Sequence, residues 1–376
     1  MNHPAPQTQV DHLTQSTSAA PRYEFQALDP VKHRDRVLAA FELCWPQPAA
    51  EMQAKHEWFY VANPAGTASA FLLHDHATAK DVGLLVVAPR RFLINGEEAL
   101  GAVFVDFAVA PEHRRLFLRR IKLDLLAFHT ASEAGHDAAL MRSDFVYCLP
   151  NDRSRRVCER TAGVFQFERP RMAAIVRFWP YLARRAPQWA AKPAGAFLDL
   201  LTTCADAVSR LGYPRFTHEW LDEVDERFDV LWSRVSRVDR CIGVRDRAFL
   251  HWRFFARPGA HQNRVLAVLR PGTQSLLAYF VTELIDGMLV VRDALCVGST
   301  TEQIAAWKLL RGAARACGAY VVTCEIHADE KVLHCLRRAG YHKRGSTTVF
   351  IRLASLCGDW LREAKPWYLT RADEDV

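Results

Sequence analysis

Val105-Asp106-Phe107-Ala108-Val109-Ala110-Pro111-Glu112-His113-Arg114 starts as an apolar run and ends on a proline, two titratable side chains and an arginine. Upstream, 101–109 reads as a strand, and Asn95-Gly96 before it is a strong hairpin signal joining it to a strand over 82–89. Downstream, the pattern predicts a long helix over 115–134, closed by Gly135. A strand feeding a helix in this way points unpaired backbone N–H groups at whatever lies beyond the strand end. Such a terminus suits an anion.

Working outward, the spacing predicts a helix over 30–41 and strands over 69–74, 138–149 and 165–169. A short helix over 154–160 and Gly163 separate the last two. The same order returns after residue 240: a helical turn within 241–255, strands over 265–268, 275–284 and 288–297, and the turn Asp286-Gly287. A helix over 301–317 follows, then a strand over 320–326, a helix over 331–338 and a last strand over 347–353. Anchors recur in that order. Trp58 answers Trp252, Asp106 answers Asp293, and Asn151 stands twelve residues before Gly163 as Ala328 does before Gly340. Shared order across many weak matches reads as two similar halves. The expected divisions are a disordered tail at 1–21, a first domain at 22–175, a helical linker at 176–230 and a second domain at 231–376.

At 376 residues two domains are expected, and a composition 50% apolar and 24% charged is ordinary for globular chains. The formal charge of +7 suits an anionic small ligand or an acidic carrier. No aromatic-interleaved basic stripe or zinc-finger spacing accompanies it, which argues against nucleic acid. The ten cysteines include no C-x-x-C, and many sit in apolar runs. They read as reduced thiols of a cytoplasmic protein, with no metal site. The apolar segment 195–211 is broken by Asp199, Asp206 and Arg210, so a transmembrane span is not expected; it lies on a membrane surface or covers a core.

The run 105–114, Leu149-Pro150-Asn151-Asp152-Arg153-Ser154 with Gly163, Ala339-Gly340-Tyr341 and the ending from Trp367 to Asp375 together resemble the GNAT superfamily of N-acyltransferases, in its tandem two-domain form. The resemblance covers roughly 22–169 and 241–375. It implies an α/β (α+β) fold: two GNAT-like domains, each a mixed, mostly antiparallel twisted sheet flanked by helices. It further implies acyl transfer from acetyl-CoA or another acyl-CoA to an amine or hydroxyl acceptor, a small molecule or glycan precursor. The donor is expected in the first half, with the second half degenerate.

On that resemblance Phe107, Ala108, Val109, Arg114, Arg115, Asn151 and Ser154 are the cofactor-binding candidates, and Asp106, Glu112 and Tyr147 the acid–base candidates. The phosphate loop normally carries two small residues, where this chain has Phe117 and Arg119. A Phe in place of Gly fills space and resists positive φ. Three readings stand: a loop rebuilt around arginine charge, a different donor such as acyl carrier protein, or a lost site. A Fem-like aminoacyl transferase and a non-catalytic scaffold are the alternatives to the acyl-CoA enzyme.

Overall fold

The computed structural model describes residues 22–45, 48–114, 143–159, 164–183, 186–235, 240–259, 262–353, 359–363 and 366–374. The expected tail at 1–21, the helix at 115–134, and Arg115, Phe117 and Arg119 lie outside them. The first half runs β1 (Tyr23–Leu28), α1 (Arg34–Cys44), α2 (Ala49–Lys55) passing into a π turn (His56–Val61), β2 (Ser69–Asp75), β3 (Lys80–Ile94) and β4 (Glu97–Val109). It continues with β5 (Phe145–Cys148), α3 (Asp152–Glu159) and β6 (Phe165–Ile175). After α4 (Trp179–Ala183) and α5 (Gln188–Arg210), the second half runs β7 (Thr217–Leu221), α6 (Arg227–Ser233), β8 (Cys241–Gly243), α7 (Arg247–Phe254), β9 (Asn263–Leu269) and β10 (Leu276–Ile285). It ends with β11 (Met288–Cys296), α8 (Thr300–Ala316), β12 (Val321–Glu325), α9 (Glu330–Arg338), β13 (His342–Leu353) and β14 (Trp367–Tyr368).

Local chemistry sets these boundaries. Asn95-Gly96 and Asp286-Gly287 all take positive φ, at 53°, 88°, 49° and 76°, as tight two-residue hairpins demand. Helix α8 begins at a capping box between Ser299 and Glu302, and the chain leaves it through Gly318 at φ +91°. Asp329 caps α9 by accepting from the Val332 N–H at 2.9 Å.

The expected mixed, mostly antiparallel sheet flanked by helices is present, but the two halves share one sheet. Its order is β1-β2-β3-β4-β5-β13-β6-β12-β11-β10-β9-β7, with β8 joined to β3 and β14. The series β1 to β5 is matched by β7, β9, β10, β11 and β12, with β4·β5 and β11·β12 parallel. Each half's sixth strand crosses over. Strand β13 pairs with β5 of the first half, β6 pairs with β12 of the second, and β6 and β13 pair with each other from Phe165↔Ile351 to Ala173↔His342. The segment 176–230, read from sequence as a helical linker, holds β7, which is the edge strand on β9. That strand is the counterpart of β1.

The halves meet with near two-fold symmetry at the paired tryptophans. Trp58 Nε1 donates to the Trp252 carbonyl at 2.7 Å, Trp252 Nε1 donates to the Trp58 carbonyl at 2.9 Å, and the ring centroids lie 5.5 Å apart. One apolar cluster runs through Phe41, Trp58 and Phe92 to Trp252, Trp307, Tyr341 and Trp367. The chain's end is sewn into this seam. Fully buried Arg245 donates to Asp293 at 3.1 Å and to Asp373 at 2.6 Å, while Arg169 donates to Glu325 and Glu374. Burial opposes the Arg245 charge, and the Asp293 and Asp373 carboxylates outweigh it, holding its pKa above the ordinary value.

Two stability measurements follow from this seam. Trp58→Ala is expected to cost about 4 kcal/mol in urea unfolding, combining a lost aromatic with an orphaned carbonyl. Arg245→Met leaves the Asp293 carboxylate buried without its cation and Asp373 with Arg90 alone, and is expected to cost about 3–5 kcal/mol. A loss under 1 kcal/mol for either would show that the seam is loosely held.

Candidate active site

Strands β4 and β5 run side by side only from Gly101↔Phe145 to Val103↔Tyr147, whereas β4 continues to Val109 and β5 ends at Cys148. Gly101 sets their closest approach, since a Cβ there would stand 2.7 Å from the Phe145 ring. Beyond Val103 β4 runs on without β5 beside it. On its other side β4 carries a bulge: Val86 pairs with Val105 but Leu84 pairs with Ala108, so Asp106 and Phe107 stand opposite the single residue Leu85. Asp106 takes φ +51° at this point.

What holds the bulge is a clamp on the Asp106 carboxylate. Lys55 Nζ donates to one oxygen at 2.6 Å and Tyr60 Oη to the other at 2.7 Å. The π turn after α2 makes this possible, because five-residue spacing brings Lys55 and Tyr60 to one face. Sequence reasoning named neither residue, for an α-helical reading puts them on different faces.

The remaining candidates separate. Arg114 turns back, its Nε donating to the Val109 carbonyl at 2.8 Å, and so marks the end of β4. Glu112 is exposed beside it. His113 faces the other way, 3.1 Å from Tyr23 Oη and 3.8 Å from Asp75. The Arg22 guanidinium holds the Asp75 carboxyl far below the usual range. Phe107 packs with the apolar cluster of Leu73, Val82 and Val109 on the outer face of the sheet. Asn151 accepts from Ser154 N and Ser154 Oγ, both at 3.1 Å, which makes the pair the start of α3.

Tyr147 is buried at the seam, and its hydroxyl has no partner among the described residues. Burial pushes its phenol well above the ordinary value. It borders a cavity of about 10 Å³ shared with Arg90, Arg253 and Asp373, the scale of one water molecule. Near the mouth, the Cys148 and Cys158 sulfurs lie 3.5 Å apart. The bond from Cys148 is the main reason the Cys158 pKa falls. Its counterpart Cys335 instead donates to the Thr300 carbonyl at 3.7 Å and is raised by burial.

The second half repeats the bulge with a different filling. Val281 pairs with Asp293 but Thr282 pairs with Val291, leaving Arg292 as the extra residue. Asp293 accepts from Tyr279 Oη and Thr370 Oγ1, both at 2.6 Å, besides Arg245. A cavity of about 350 Å³ opens between the end of β11 and the starts of α8 and α9, lined by Cys296, Gln303, Trp307, Arg240, Lys331 and Tyr368 among others. The α8 terminus that borders it is already occupied. The Glu302 carboxylate accepts from the Ser299 N–H at 2.8 Å and from Arg270 at 2.5 Å.

Neither any family model nor any curated protein matches this chain in sequence. Solved structures do match in shape. A conserved protein of unknown function from Enterococcus faecalis V583, described as a probable N-acyltransferase, superposes with a TM-score of 0.57 at 11% identity, over 89% of this chain and 73% of that one. A GCN5-related N-acetyltransferase from Anabaena variabilis ATCC 29413 gives 0.57 at 12% identity, over 89% and 74%. Another, from Kribbella flavida, gives 0.53 at 14% identity, over 88% and 72%. In fold, this chain is similar to GNAT-type N-acetyltransferases.

Proposed function

We propose that the protein is an acyltransferase that moves an acetyl or longer acyl group from an acyl-CoA thioester to an amine or hydroxyl acceptor, with the donor held by the first half. The observation that carries this reading is the bulge at Asp106-Phe107 in the part of β4 that runs on past the end of its pairing with β5. A thioester laid in such an opening meets backbone polar groups of the bulged strand, around Phe107–Val109, where a developing oxyanion requires donors. Asp106, bound by Lys55 and Tyr60, serves as the positioning residue that fixes the bulge. Glu112, exposed at the strand end, is the carboxylate open to take the acceptor's proton. Asn151 and Ser154 shape the far side of the opening, whereas Tyr147 is buried at the seam.

The charges favour the first half over the second for the donor's pyrophosphate. Arg114 stands at the end of β4, whereas Glu302 presents a carboxylate at the matching helix terminus in the second half. An anion arriving at α8 would have to displace Glu302 from Ser299 and face its charge.

Titration calorimetry with acetyl-CoA and longer acyl-CoAs tests both statements. The expected result is saturable binding at one site per chain, weakened about tenfold, roughly 1.4 kcal/mol, by Arg114→Ala. Two equivalent sites per chain would contradict the assignment of the donor to the first half. No binding at millimolar ligand would overturn the acyl-CoA reading and direct the search to acyl carrier protein as donor.

A further inference from the structure

Helix α5, 23 residues long, is turned inside out. Three of its four charged groups bind inward, Lys192 being exposed: Asp199 accepts from the Phe178 N–H at 2.5 Å, Asp206 binds Arg311 at 3.1 Å and Arg315 at 2.7 Å, and Arg210 donates to the Lys308 carbonyl at 2.9 Å. Its apolar groups face away. Trp189 is 81% exposed, and Phe197, Leu200, Leu201 and Val208 are exposed as well, with Leu211 beyond the helix end at 75%. Pro193 and Cys204 fall in the same exposed row. Steps of three and four residues make this one continuous stripe. Only Ala191 and Gly195 of the helix are buried. A Cβ on Gly195 would stand 2.6 Å from the Trp179 backbone, so α4 pins the helix with the stripe outward.

We propose that this face docks on an anionic lipid surface. The charge around it selects that occupant. The stretch 171–215 carries seven Lys or Arg (171, 177, 184, 185, 192, 210 and 215) against two acids, Asp199 and Asp206; Arg171 pairs with Glu325, Arg177 and Arg210 donate to carbonyls of α8, and Lys192 and Arg215 stand exposed. That local excess, 7 − 2 = +5, is most of the chain's formal +7. An apolar stripe of Trp, Phe and Leu flanked by basic residues is the composition of a helix lying in the headgroup region. A second copy of the chain would bring the two basic flanks together. No helix among the described residues is long and apolar enough to cross a membrane, so the helix lies along the surface. The inference is independent of the acyl-transfer reading.

Cosedimentation of the full chain with large unilamellar vesicles tests it. Vesicles mixing phosphatidylcholine and phosphatidylglycerol are expected to carry the protein down, with weaker binding to phosphatidylcholine alone and at raised salt. Phe197→Asp with Leu201→Asp alters exposed positions only. It should lower partitioning by about tenfold, with an unchanged circular dichroism melt showing that the fold is kept. Three results would overturn the proposal: no sedimentation with either vesicle, equal sedimentation of the variant, or a dimer seen by light scattering that the variant abolishes. The last would assign the face to a second copy.

Discussion

The pairing of β6 with β13 is the constraint on which the rest of the molecule depends. Each of these strands belongs in sequence to one half and completes the sheet of the other, so neither half has a closed sheet without its partner. A strand edge left unpaired exposes a row of backbone donors and acceptors, and the crossing removes two such edges at once. It also fixes where everything else lies. The mutual Trp58–Trp252 bonds sit at the seam, and the terminal segment from Trp367 to Glu374 is drawn through it. The Arg245–Asp293–Asp373 cluster then carries that order to the second half's bulge, because Asp293 belongs to β11.

The two halves show what a shared plan permits to vary. Both keep a parallel pair in which one strand outruns its neighbour, and a bulge with an aspartate in it or next to it. In the first half the aspartate is held by Lys55 and Tyr60, and the strand end carries Arg114. In the second the aspartate is sealed in a buried ion cluster, and the helix terminus is filled by Glu302. The cysteines diverge likewise, Cys158 lowered by a neighbouring thiol and Cys335 buried and raised. Equivalent backbone thus supports unequal chemistry, because side chains at the strand ends decide which charges a ligand meets.

Features set by neighbours in sequence were legible. Asn95-Gly96, Asp286-Gly287, Gly318 and Gly340 punctuate the chain where conformation requires them, and the strands between them alternate or run apolar enough to be read. Strands β1 and β7 were missed for a common reason. Both lie at sheet edges, half exposed, and Thr217–Leu221 is too polar to stand out. The crossing of β6 and β13 was not legible at all, since periodicity announces a strand without naming its partner. At the site, the bulge segment was found through its composition and its likeness to a family. Its clamp was not, because a π turn places Lys55 and Tyr60 together where a regular helix would not.

Native-state hydrogen exchange across a urea series, read by mass spectrometry on the full chain, tests the shared sheet most directly. If the crossing strands join the halves into one cooperative unit, amides of β5, β6, β12 and β13 lose protection together, at the free energy of global unfolding. If the amides of one half open at lower urea while the other half stays protected, the halves are independent domains and the account of the seam is wrong.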